Sequence, residues 1–261
     1  MNKIALRFGY WAAITAAAAF IVFTICFTAI LIVNPLFLWT SFEAYLEAAQ
    51  ATNQTFKHMA MFFMLVFGAC FVVQLGSIEE IAEPAGKYYA KLAKLFGLGF
   101  FVLAGMNYFI QISAVRLQVG ARQTGGLEQF IQSNPLSGMA ATNMLGWTVF
   151  FGLSCLFAAL AFGTAGYEKI IRATFFANGI MMLLTAGGYI FNLSVMVFLF
   201  MNIGMGAALP EKGTHAFKPK GDPGLHALCP DGQHPVKVAG AGLPPGFAAD
   251  SDVFNSPQVR R

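Results

Sequence analysis

The sequence predicts an all-α membrane protein: six transmembrane helices in a bundle, a short interfacial helix in the first outer loop and a flexible C-terminal tail. Three observations lead there. Of 261 residues, 57% are hydrophobic and 11% charged, whereas a soluble domain carries roughly a quarter charged residues. Six apolar runs come near the ~20 residues that cross a bilayer as a helix. Beyond residue 210 the composition turns abruptly to Gly, Pro, Lys and Asp with few large apolar side chains. Such a stretch cannot bury enough surface to order itself. Residues 1–210 are therefore read as the transmembrane domain, and 211–261 as a cytoplasmic tail, disordered in isolation.

The first span, 8–33, follows Lys3 and Arg7. Its basic start resembles a signal peptide, but the apolar run far exceeds the roughly 7–15 residues of a signal core, and it ends at Asn34-Pro35. It is read as a retained helix. In the loop 34–57, Thr40 and Glu43 have capping-box spacing. Phe42, Tyr45, Leu46 and Ala49 then recur at the period of one helix face. With Trp39 in front, this predicts a short helix lying in the membrane interface, or else folded as a cap over the bundle.

The second span is 58–76, with Gln74 near its end and a charged loop at 79–88 broken at Pro84. The third, 89–118, is long enough to tilt or protrude. A polar loop follows at 119–138, with turn signals at Gly125-Gly126 and Asn134-Pro135 and a short amphipathic piece at 127–131. The fourth span is 139–162. The fifth, 169–186, and the sixth, 189–209, are separated only by Gly187-Gly188, read as a turn. Gly97, Gly99, Gly105, Gly204 and Gly206 permit close helix approach.

With six spans both termini share a side. Thirteen of the sixteen Lys and Arg residues fall on that side, and only Lys57, Arg116 and Arg122 on the other. Dropping the last three basic residues of the tail leaves ten against three. Loop Lys and Arg favour the cytoplasm, so both termini are expected to be cytoplasmic, in an inner cell membrane.

The chemistry-bearing residues exclude more than they suggest. Cys26, Cys70 and Cys155 sit in apolar runs, where thiols are usually small core hydrophobes. His58 is the sole histidine near a span, so a helix-borne haem pair is absent. His226, Cys229 and His234 lack a fourth ligand and zinc spacing. No phosphate-loop, nucleophile-elbow or zinc-protease motif occurs. No catalytic residue, metal or cofactor is assigned. Gln74, Glu79, Glu80 and Glu83 lie beside Lys87, Lys91 and Lys94 and read as mutually paired surface charge.

The polar stretch at the far end of the third span is the exception. Asn107 and Gln111 share a helix face, Tyr108 neighbours Gln111, and Arg116 follows. Polar groups in a bilayer must find partners in protein or water. Asn107, Tyr108, Gln111 and Arg116, joined by Asn143 and Trp147 of the fourth span, are candidates for an outward-opening pocket for a small anionic or amphipathic molecule. Asn178, Asn192 and Asn202 are further contributors. The alternative is structural: buried amides in membranes commonly bond neighbouring helices for ~1 kcal/mol.

The run from Asn107 to Val115, the loop with Leu127 and Gln132-Ser133-Asn134-Pro135, and the helix with Leu145-Gly146-Trp147 and Phe150 resemble an uncharacterised family of bacterial multi-pass membrane proteins. That family carries an N-Y-F-x-Q-[IL]-[ST]-x-V segment and then a loop ending S-x-Y-N-P or similar, which here reads Gln-Ser-Asn-Pro. The likeness covers 107–162, less than a quarter of the chain. It implies a six-helix fold in a bacterial-type membrane and brings no activity.

The functional expectation is a non-enzymatic protein that binds or transports a small amphipathic or lipid-like ligand through an outer-facing pocket on the third helix. An accessory or assembly subunit is the second reading. A lipid-modifying enzyme such as an isomerase is the third, disfavoured because no paired carboxylates or histidines lie within the spans. Expected partners are the bilayer, a small amphipathic ligand or lipid, and a second copy or membrane-complex partner, with no nucleic acid.

Overall fold

The computed structural model describes residues 3–33 and 39–208, with side chains as far as 201. Among these the elements are all helical, in the order α1 (Lys3–Val33), α2 (Phe42–Ala51), α3 (Thr55–Ile81), α4 (Pro84–Ala121), α5 (Gly138–Ala161), α6 (Gly166–Ile190) and α7 (Ser194–Ala208). Five of them, α1 and α3 to α6, are long and apolar enough to cross a membrane. The described part of α7 is 15 residues long.

Each long helix packs against the next long helix along the chain, so the bundle is a sequential meander in which α5 also touches α3. Its centre is aromatic. Phe67 and Phe71 of α3, Phe100 of α4, and Trp147 and Phe151 of α5 are all at most 2% exposed. The Phe100 ring meets the Trp147 indole edge-on at 4.6 Å, and Phe71 and Phe100 lie 5.1 and 5.0 Å from Phe151. These are the tilted geometries that ring quadrupoles favour.

Small residues let the helices close around this centre. A Cβ on Gly97 would fall 2.3 Å from a Leu75 methyl, and one on Gly179 would fall 2.8 Å from the Gly152 carbonyl oxygen. Ser154 anchors α5 to α4 by donating its hydroxyl to the Ala93 carbonyl at 2.8 Å. Cys26 and Cys155 are buried free thiols.

Three boundaries differ from the sequence reading. The capping spacing pointed to Thr40, but the N-cap is Ser41. Its backbone is extended and its Oγ accepts the Ala44 N–H at 3.2 Å, which moves Glu43 into the first turn, near the positive helix end.

The charged loop at 79–88 is instead helix on both sides. Glu79 and Glu80 lie within α3, the connection is Ala82-Glu83, and α4 starts on Pro84. At that position the missing proline N–H would have had no helical partner.

The supposed turn at Gly187-Gly188 is also helical. α6 continues to Ile190 and closes at Asn192, whose φ of 55° is left-handed. The Leu193 N–H bonds the Gly188 carbonyl at 2.7 Å, and the Asn192 N–H bonds the Tyr189 carbonyl at 3.2 Å. This is the Schellman pair. Gly188 serves close packing, since a Cβ there would lie 3.1 Å from the Met196 Cβ.

The tail 211–261, with His226, Cys229 and His234, lies outside the described residues, as does the side chain of Asn202.

Candidate functional site

The polar stretch sits where α4 changes pitch. Residues Gln111–Val115 form a π-helical turn, after which α4 continues to Ala121. A π turn re-aims the residues in it, and such turns often occur at functional positions. Here Gln111 and Val115 are both buried.

What faces them is the connection between α4 and α5. The Gln111 side-chain amide donates to the Phe130 carbonyl, and its Oε1 accepts the Gln132 N–H at 3.3 Å. One turn earlier, Asn107 donates from Nδ2 to Gln132 Oε1 at 3.0 Å. Two amides of α4 thus hold two residues of the connection, Phe130 and Gln132.

That connection is also laced to itself. A single 3₁₀ turn, Leu127–Phe130, follows Gly126 at φ 74°. Asn134 donates to the Glu128 carbonyl and accepts the Leu136 N–H, while Ser137 donates to the Ile131 carbonyl and caps α5 at Ala140. Leu127 and Ile131 tuck under it, almost wholly buried.

Tyr108 and Trp147 lie deeper. The indole N–H donates to the Tyr108 hydroxyl at 2.8 Å, so two polar tips within the aromatic centre satisfy each other. Gly146 backs directly onto Leu103 and Ala104. The antiparallel register then puts Asn143, one turn earlier in α5, level with Asn107. Both residues are buried, and each has a side-chain oxygen without a hydrogen-bond partner.

The cavity lies to one side of this, between α2, the start of α3 and the end of α4. It has a volume of about 450 Å³, inside the ~300–1,000 Å³ of small-molecule pockets. Gln111 and Arg116 of the sequence-derived candidates line it, together with Lys57, His58 and Arg122. Asn107, Tyr108, Asn143 and Trp147 are not in its wall.

Its other walls are the side-chain amides of Gln50 and Gln54 and the apolar Ala49, Met61 and Val115. Among the described residues that line it, none is acidic. Glu43 and Glu47 of α2 are exposed and lie outside the wall.

Each cation is placed by the fold. The Lys57 ammonium stands 5.4 Å from the Tyr45 ring centroid, held by the negative face of the ring. Tyr45 is buried, which pushes its phenol above the ordinary value. Arg116 uses its Nε on the Ile112 carbonyl at 3.0 Å. Arg122 closes α4 with a left-handed φ of 56°, its N–H on the Val119 carbonyl and the Gln123 N–H on Gln118.

α2 roofs the cavity, because Phe42, Tyr45, Leu46 and Ala49, the face its spacing predicts, pack with Val115, Val119, Leu127 and Ile131.

Elsewhere, the Lys94 ammonium pairs with the Glu79 carboxylate, as expected of solvated charge beside α4. Asn178 is buried in α6, and Asn192 forms the turn after it. Among the described residues no cluster of His, Cys, Asp or Glu suits a metal ion.

Sequence reasoning missed Gln50, Gln54, Lys57, His58 and Arg122 as wall residues. A signal for three of the cations was present: Lys57, Arg116 and Arg122 are the minority in the loop-charge count, and they converge on one cavity. No protein-family model, curated protein or solved structure matches the chain.

Proposed function

We propose that this chain is a non-enzymatic inner-membrane protein, of the bacterial multi-pass kind that its 107–162 segment resembles, which binds a small anionic amphiphile in an outward-opening pocket. In this reading α7 is the sixth span, α2 lies in the outer interface, and both termini are cytoplasmic. The loop-charge bias supports that orientation and turns the cavity between α2, α3 and α4 outward.

One observation carries the reading: three cationic side chains, Lys57, Arg116 and Arg122, converge with His58 on a cavity that is half apolar and has no acidic wall residue among those described. Like charges gathered without counter-charge repel one another, and a bound anion relieves that repulsion. The apolar walls at Met61 and Val115 suit the carbon part of such a ligand.

The test is native mass spectrometry of the purified protein, wild type against Lys57→Gln/Arg116→Gln. The wild type is expected to retain an anionic lipid-like molecule that the variant loses, at unchanged abundance. Equal retention by the two overturns the reading.

The accessory-subunit reading draws support from the amide clasp, because Asn107 and Gln111 bond the connection in place of a ligand. It gains if ligand retention is unaffected and removal of 211–261 eliminates a co-purifying membrane protein.

A further inference from the structure

The geometry points to a phosphate group as the anion this pocket takes, either the phosphomonoester of a lipid headgroup or free inorganic phosphate. The inference rests on the proposed anionic-ligand pocket and narrows its chemistry.

Charge balance comes first. Lys57, Arg116 and Arg122 are three cations around one cavity, with His58 beside Lys57 in the same lining. A carboxylate would answer one of the three. A phosphomonoester brings a charge of about −1.5 to −2 and three strong acceptor oxygens, closer to what the wall presents.

Donor geometry comes second. Arg116, in the cavity lining, commits its Nε to the Ile112 carbonyl, and its guanidinium has two further nitrogens to form a fork. Arg122, set at the left-handed end of α4 and in the same lining, carries a second guanidinium. Planar forks match pairs of phosphate oxygens, while an ammonium acts as a point charge. Lys57 is that point charge, steadied over Tyr45. Among the described residues no carboxylate pairs with any of the three. The amides of Gln50 and Gln54 add neutral donors around the same space.

Size comes third. About 450 Å³ exceeds what one tetrahedral anion fills, and the remaining wall, at Ala49, Met61 and Val119, is apolar. A glycerol or short acyl portion attached to the phosphate fits that remainder.

The experiment titrates the full chain in an uncharged detergent with dihexanoyl phosphatidic acid, with a fatty carboxylate of matched chain length, and with inorganic phosphate. Affinity and thermal shift are read for the wild type, Arg122→Asn and Lys57→Gln. Asparagine tolerates the left-handed backbone, so Arg122→Asn keeps the end of α4 intact and is expected not to lower the ligand-free melting temperature.

The expected result is that phosphatidic acid binds about tenfold more tightly than the carboxylate, and that each variant removes most of that preference, as loss of a charge-assisted contact does. Saturable binding of inorganic phosphate, lost in Arg122→Asn, identifies free phosphate as the source. A response to the lipid alone identifies a headgroup, and both uphold the phosphate assignment. Equal affinity for carboxylate and phosphate overturns it while leaving the anionic-amphiphile pocket standing. Absence of saturable binding by every anion overturns both.

Discussion

The Trp147 indole N–H donates to the Tyr108 hydroxyl at 2.8 Å inside the aromatic centre of the bundle, where the indole is 1% exposed. Each group is the other's answer to burial. Removing one leaves the other without a partner, which costs more than the bond itself contributes.

Tyr108→Phe and Trp147→Phe are therefore each expected to destabilise the protein by about 1–2 kcal/mol. Trp147→Phe adds a further loss, because it also removes ring area facing Phe67 and Phe100. The double variant should be less destabilised than the sum of the two, since no polar tip is then orphaned. Thermal unfolding of all four proteins in one detergent checks this. Strict additivity would mean that the bond carries no coupling.

How far the sequence discloses this arrangement depends on the range of the interaction. The α2 face at Phe42, Tyr45, Leu46 and Ala49 is local and periodic, so it was legible, and it is the face that packs. The cap was misplaced by one residue because Thr40 and Ser41 are both competent, and only backbone geometry chooses between them. Gly187-Gly188 suggests a turn in the sequence because glycine punctuates loops. The same residue also permits close packing, which is its use at Gly188 beside Met196. Asn107 and Gln111 stood out by spacing, but their partners lie about twenty residues away in an irregular connection, where no period exists to reveal them. The cavity was hidden for the same reason. It forms only when α2 folds back over the ends of α3 and α4, although its three lysine and arginine residues were already set apart by the charge count.

Gln111→Leu separates positioning from folding. It removes both bonds to the connection, including the one in which Oε1 accepts the Gln132 N–H. The Gln132 amide is expected to exchange with deuterium about tenfold faster, equivalent to ~1.4 kcal/mol of lost local protection, while amides in α3 and α5 keep their rates. Uniformly faster exchange throughout the bundle would show instead that Gln111 supports the global fold.

The orientation has a direct test. A cytoplasm-active reporter fused after Lys212 is expected to be active, and a periplasm-active reporter at the same point silent, since with six spans, as proposed, 13 of 16 basic residues fall on the side of the termini. A reporter inserted in the exposed turn at Gly125, between α4 and α5, should give the opposite pattern. Cytoplasmic activity at Gly125 would reverse the direction in which the cavity opens, and with it the source of any ligand, whereas periplasmic activity at Lys212 alone would mean that α7 does not cross.

Glycines at two positions should respond in opposite ways to alanine. A Cβ on Gly86 would stand 2.6 Å from the carbonyl oxygen of Ala161. That neighbour is backbone at the end of α5 and cannot rotate away, so the start of α4 must move. Gly86→Ala is expected to cost about 1–3 kcal/mol, as overpacking does. Gly187 lies inside α6 with nothing within 4 Å of a built Cβ, and its helical backbone suits any residue. Gly187→Ala removes unfolded-chain freedom without a clash and should stabilise by about 0.4–1 kcal/mol. Melting temperatures measured side by side decide the matter. A stabilised Gly86→Ala would show that α4 and α5 do not meet as closely as described, and a destabilised Gly187→Ala would restore the turn that the sequence first suggested there.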